Sequence, residues 1–332
     1  VTAGSAESTA APWRVAVVGA GAVGITLGAR LAVAGADVRF LVRPERVGAL
    51  RATGVRLRSF EGHVWLPPAG APPVAEAGWT VGPPVQVAGT AAEVGVVEVV
   101  LVCVKAGQVA RVAPLLRPLV GPDTAVVPTQ NGVEASALLA EALGAGAVLE
   151  GLARVIAEPV APGEALHTAV TPVLEFGARG GAPVPSPALG QAAALASWLQ
   201  RAGVHAVQPA DMAVALWEKF LFIDPIGVVC AASGEPFGVV RADPVLRAQV
   251  DACLDEVVAV GRGAGVSWPA DAVARVWRRY EGLPADGVTS MARDLLAGRP
   301  SELDSQPGAV VRLGARYGVP TPVHCQLLER LS

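Results

Sequence analysis

Lysine and asparagine are almost missing from this 332-residue chain: among 26 lysines and arginines only Lys105 and Lys219 are lysine, and Asn131 is the sole asparagine. Charge of either sign is scarce at 17%, and the formal net charge of -3 leaves no basic footprint for nucleic acid or an acidic membrane. The four cysteines form no Cys-x-x-Cys pair and the four histidines share no ligand spacing, so neither a disulfide framework nor a metal site is expected. No apolar run reaches the roughly 18 residues of a membrane span. Residues 1–12 lack the basic start and apolar core of a signal peptide and read as a flexible tail, and a cytoplasmic protein is expected.

Apolar residues are abundant at 52%, and 332 residues exceed what one core comfortably serves, so two domains are expected. The stretch Val15-Ala16-Val17-Val18 is a strand-length apolar run that feeds into Gly19-Ala20-Gly21-Ala22-Val23-Gly24, and residues 25–31 then read as a helix. Gly-x-Gly-x-x-Gly between strand and helix is a dinucleotide fingerprint. The first glycine permits the turn, the second lets backbone approach a pyrophosphate, and the third allows close packing, with the phosphates at the helix N-terminus. A second strand over 38–42 ends at Arg43, where an NAD site would place an acid on the ribose 2'-hydroxyl. Arginine there, with Arg46 nearby, favours the 2'-phosphate of NADP(H).

Residues 51–95 are turn-rich, with short segments such as 54–57 suited to edge strands. The apolar run 96–104 has the pattern of a parallel strand covered on both faces and ends at Lys105, while 125–128 leads into Thr129-Gln130-Asn131-Gly132. Ligands of open α/β sheets bind beyond the carboxyl ends of strands, which puts Lys105 and Asn131 towards the nucleotide. Residues 151–179 alternate as strands that would extend the sheet, 186–202 read as a helix and 204–207 as a last strand. Pro209 marks a boundary, and beyond Asp211 the period becomes helical, over 213–222, 244–261, 271–280, 290–296 and 305–316. The expected architecture is an α/β Rossmann-type NADP-binding domain over 13–208 followed by an all-α substrate and catalytic domain over 209–332. In a chain that writes arginine wherever a surface cation will do, two lysines are candidates for work that a guanidinium cannot do, such as releasing a proton near neutrality.

These blocks carry a resemblance. Gly19 to Gly24 with Arg43, Val104-Lys105-Ala106-x-Gln108, Gln130-Asn131-Gly132, Leu216-Trp217-x-Lys219, Thr289-Ser290-Met291-x-x-Asp294, Glu302-x-Asp304-x-x-x-Gly308 and Gly318-Val319-Pro320-Thr321-Pro322 stand in the order seen in the ketopantoate reductase (2-dehydropantoate 2-reductase) family. The resemblance implies an NADPH-dependent oxidoreductase with Lys219 as general acid and Glu302 as its acidic partner. It makes Asn131 and Ser290 substrate contacts, and Gly19, Gly21, Ala22, Val23, Gly24, Arg43, Lys105, Gln108 and Asn131 the cofactor set. A carboxylate beside Lys219 would raise the pKa of the lysine. The chain departs from that pattern where members carry asparagine four and eight residues after the lysine, and in the segment beyond. Here stand Ile223, Gly227 and Phe237. Ile223 and Gly227 are therefore expected to form an apolar, recessed wall beside the carbonyl, suited to a 2-oxo acid or related carbonyl compound larger or more apolar than ketopantoate. Ketopantoate itself, a C=N substrate and a non-catalytic NADP-binding sensor are the alternatives, and paired helical domains suggest a homodimer.

Overall fold

A computed structural model describes residues 13–72, 77–179 and 187–331. The expected tail at 1–12, and Ser186 at the start of the expected 186–202 helix, lie outside them. Strands β1 (Arg14–Val18), β2 (Asp37–Leu41), β3 (Val55–Ser59), β4 (His63–Leu66), β5 (Trp79–Val81), β6 (Gln86–Ala88), β7 (Val99–Val102), β8 (Ala125–Pro128), β9 (Glu150–Ala161), β10 (Glu164–Gly177) and β11 (His205–Val207) divide between two sheets. The first is wholly parallel, in the order β6-β2-β1-β7-β8. Its central strands are buried along their length, as expected of strands covered on both faces.

The second sheet corrects the expectation that 151–179 would extend the first. β9 and β10 form a long antiparallel hairpin, β3 and β11 run parallel to β10, and β4 and β5 continue beyond β3. The outer edge of β8 meets this region only through an isolated bridge, Val126 to Val148. Alternation of buried and exposed residues along much of β10 marks a strand with one covered face, and such a strand cannot continue a sheet buried on both.

The Ala22–Val33 helix packs against both sheets: one apolar cluster joins its Ile25, Leu27 and Leu31 to Val15 and Phe40 of the first and to Leu57 and Phe176 of the second. Its sequence is accordingly apolar nearly all round. Gly28 lets it close on the first sheet, since an added Cβ would stand 2.6 Å from Phe40 Cζ.

From Met212 the chain is helical. The Met212–Ser233 helix is central, and the helices Phe237–Ala242, Pro244–Gly263, Ala272–Glu281, Ser290–Leu296, Pro307–Tyr317 and Pro322–Leu331 surround it. The central helix is twice the expected length because it runs through Pro225. A proline here removes the N–H that would bond the carbonyl of Leu221. The hydroxyl of Tyr280 donates to Phe222 O at 2.9 Å, with Leu221 O at 3.4 Å, and so serves the carbonyls at the break. Among the described residues, no helix is long and apolar enough to cross a membrane.

Candidate active site

The glycine loop between β1 and the first helix is shaped as its sequence requires. Gly19 has φ +101°, and a Cβ on Gly24 would stand 2.0 Å from Gly19 O. A Cβ on Gly21 would meet nothing within 4 Å, which is the open approach a pyrophosphate needs. The first intrahelical bond runs from Ile25 N to Gly21 O, and no side chain caps this end. The N–H groups of Ala22, Val23 and Gly24 are thereby left for an anion. Arg43 stands just beyond β2 with an exposed side chain, 3.4 Å from Glu45. These residues fit a dinucleotide.

Lys105 and Gln108 flank the turn after β7, and the exposed ammonium of Lys105 lies 3.8 Å from Asp294 across the cleft. After β8, Gln130 Nε2 donates to Val102 O at 2.7 Å and Val104 O at 2.8 Å, pinning the loop to the end of β7. Gly132, at φ +99°, passes so close to the helical half that a Cβ would stand 2.8 Å from Ser305 O. That approach brings Asn131 Nδ2 to 3.0 Å from Glu302 Oε2, which also accepts from Gln306 Nε2 at 2.8 Å. Glu302 sits in a turn ahead of the Pro307–Tyr317 helix, so it is not an acid of a helix's first turn.

Lys219, on the central helix, is buried, and its Nζ donates to the main-chain carbonyl of Ala153 on β9 at 2.6 Å. Burial is the main cause that pushes its pKa down to about 8, and the neighbouring Arg154 guanidinium pushes the same way. Glu302 and Glu175 oppose them. The sequence expectation of a raised pKa is thus reversed. Two carboxylates acting only through space do not offset desolvation plus a second cation. Glu302 acts on Lys219 through space, while its own hydrogen bonds go to Asn131 and Gln306.

One turn on from Lys219 a pocket of about 200 Å³ opens. Phe222, Ile223, Ile226, Phe237 and Leu283 form its apolar side, and Asn131, Thr289, Ser290 and Gln306 its polar side. Asn131, Ser290 and Ile223, expected at the substrate, all line this pocket. Gly227 does not: its missing side chain is filled by Thr289 Oγ1 at 3.1 Å and Met291 Cε at 3.3 Å, so it seats the Ser290–Leu296 helix and opens no recess. Sequence reasoning missed Phe222 and Ile226, although helical spacing from Lys219 and Ile223 could have raised them, and Gln306, four residues after Glu302. Nothing local pointed to Ala153 or Arg154.

A glycine loop shaped for a dinucleotide, followed by a helical half with a buried lysine on its central helix, fits a nicotinamide-dependent oxidoreductase. The profile described as Ketopantoate reductase PanE/ApbA matches residues 15–181, and its C-terminal companion matches residues 211–332. The chain belongs to this family, whose members act on small keto acids. A 2-dehydropantoate 2-reductase of Mesorhizobium japonicum is 28% identical over 93% of this chain and 94% of its own. That of Mycobacterium tuberculosis H37Rv is 30% identical over 96% of each. The crystal structure of the Geobacter metallireducens 2-dehydropantoate 2-reductase superposes with a TM-score of 0.80 at 28% identity, over 96% of this chain and 98% of that one.

Proposed function

We propose that this chain is an NADPH-dependent reductase of 2-oxo acids whose substituent is largely apolar. One observation carries the reading: an ammonium with pKa about 8 is buried one turn from an apolar pocket, and Asn131, from the loop beyond the carboxyl end of β8, lines that pocket and bonds Glu302. When bound, the nicotinamide supplies a hydride to the carbonyl carbon. The chain's residues do the rest. Lys219 has three N–H donors and spends one on Ala153 O, so it retains donors for the substrate oxygen and gives that oxygen a proton as charge builds there. Glu302, through Asn131 and Gln306, ties the two halves of the site together and favours the charged lysine. Ser290 and Asn131 suit the carboxylate on the neighbouring carbon. Phe222, Ile223, Ile226, Phe237 and Leu283 exclude water and hold the substituent, each buried methylene being worth about 0.8 kcal/mol. Arg43 favours the 2'-phosphate.

The test is NADPH and NADH oxidation across a panel of 2-oxo acids from pyruvate to branched and aryl members, with ketopantoate included. The expected result is that NADPH is preferred at least about tenfold, a margin of about 1.4 kcal/mol, that Arg43→Ala erases most of it, and that kcat/KM rises with apolar bulk. Equal use of both cofactors, or ketopantoate best by tenfold, would count against the corresponding part.

A further inference from the structure

The face that β9 turns to the helical half follows from its packing and register. Leu152 packs there against Met212 and Leu216 of the central helix, while Ala153 joins the cluster under the Ala22–Val33 helix on the opposite face. Residues two apart along a strand share a face, and so do residues directly paired across two strands. Arg154 therefore follows Leu152 towards the central helix, as Lys219 follows Leu216 one turn further along that helix. Glu175, paired with Leu152, stands on the same face, and Arg154 Nε donates to its Oε1 at 2.5 Å. That bond spans the Ala153–Leu174 pair, and the carbonyl of Ala153 is the one that holds the ammonium at 2.6 Å.

A cation thus stands against a cation where the two halves meet. Packing does not call for it, since an apolar side chain at 154 would continue the contact of Leu152 with the helix and leave Lys219 unopposed. The carboxylates that act on the ammonium, Glu175 from β10 and Glu302 from the turn before the Pro307–Tyr317 helix, do so through space. Glu218, beside Lys219 on the central helix, is taken by Arg275. Arg279, from the Ala272–Glu281 helix, has its guanidinium carbon 3.9 Å from the ring centre of Phe222, and burial and Arg154 lower its own pKa. When Lys219 yields its proton to a substrate oxygen it is left as a neutral amine, and a guanidinium alongside disfavours the charged form relative to that amine.

We propose that Arg154 is a positioning residue for the reduction: fixed by Glu175 on the face of β9 that meets the central helix, its guanidinium drives the ammonium of Lys219 to release its proton to the substrate oxygen, and Glu175 restrains the same release. The proposal rests on the reading of Lys219 as the general acid and adds the pair that tunes it.

The experiment exploits the two lysines of the chain, Lys105 and Lys219. Lysine labelled with 13C at Cε gives one resonance from each, and Lys105→Arg removes one and so assigns the other. The full chain, unmodified and as Arg154→Gln and Glu175→Gln, is titrated by NMR from neutral to alkaline pH, and kcat/KM with NADPH is measured over the same range for the best 2-oxo acid. The midpoint of Lys219 should rise by roughly half a unit or more in Arg154→Gln and fall by a comparable amount in Glu175→Gln, and the alkaline limb of kcat/KM should move with it. An ion pair that only braced the sheet would move both variants the same way. A midpoint that stays put or moves the wrong way in either variant overturns the proposal. Midpoints that move as stated while the alkaline limb stays in place overturn the reading of Lys219 as the acid and leave the electrostatic role of Arg154 standing. Each variant has its own required direction, so either decides the matter if the other folds poorly.

Discussion

At the scale of single residues, the proposed chemistry concentrates on Lys219. In the proposed role of general acid its proton-bearing form is the working form, so activity should need pH below the folded pKa of about 8. For the best substrate, kcat/KM should be flat on the acid side of 8 and fall roughly tenfold per unit above it. A rate that climbs through pH 8 would instead make the neutral amine a base. Lys219→Ala should cost about 100-fold or more in kcat with NADPH affinity little changed, and Lys219→Arg should rescue poorly. Stopped-flow turnover and fluorescence titration of NADPH separate the two effects. Lys219 and Asn131 could be found from the sequence because each is an exception to a strong compositional bias. The direction of the lysine's pKa could not. Arg154 and Glu175, which act on it, are joined by a 2.5 Å ion pair between β9 and β10 and lie far away along the chain.

Among the elements, the central helix is held by a cluster that no local pattern announces. Asp224, Glu256 and His324 come from three helices. His324 Nε2 lies 2.8 Å from Asp224 Oδ2 and Nδ1 lies 2.5 Å from Glu256 Oε2, while Glu256 also accepts from the N–H groups of Val323 and His324. Burial alone would lower the histidine's pKa, but the charges and hydrogen bonds of Asp224 and Glu256 prevail and raise it from 6.5 to about 9. The stabilisation from this raised pKa is complete below 6.5 and is lost as pH rises through about 9. Unfolding free energy from denaturant melts should therefore decline over that interval. His324→Leu should cost about 3 to 5 kcal/mol, since it strands two buried carboxylates, and should flatten the decline. An undiminished slope in that variant would assign the pH dependence elsewhere. The existence and type of most helices were legible in their periodicity, and Ser290–Leu296 matched to the residue. The continuation through Pro225 was not, because it depends on Tyr280 from another helix.

In the whole molecule, the two halves meet where glycine is obligatory. At Gly132 a methyl group would face both a positive φ and Ser305 O at 2.8 Å. Gly132→Ala should lose about 1 to 3 kcal/mol of stability and draw Asn131 away from Glu302. In kinetics the loss should appear in kcat/KM for the oxo acid while the Kd of NADPH changes little. A variant with normal kinetics would show that the contact does not set the site. The order of α/β and helical parts was readable from the switch in hydrophobic period near Pro209. The division of strands between two sheets was not, because alternation reports which face of a strand is covered and not which strands it pairs with.

Lys219 is held by main chain, through the carbonyl of Ala153. Every amino acid supplies that oxygen, so residue 153 is free to drift in identity as far as this bond is concerned. Length is a different matter. Successive carbonyls along a strand point to opposite sides, so a one-residue slip of β9 that did not also turn the strand over would point a carbonyl away from the ammonium. A helical half borrowed from a relative would inherit the same demand: it would work on this scaffold according to the register of β9, whatever residues that strand displays.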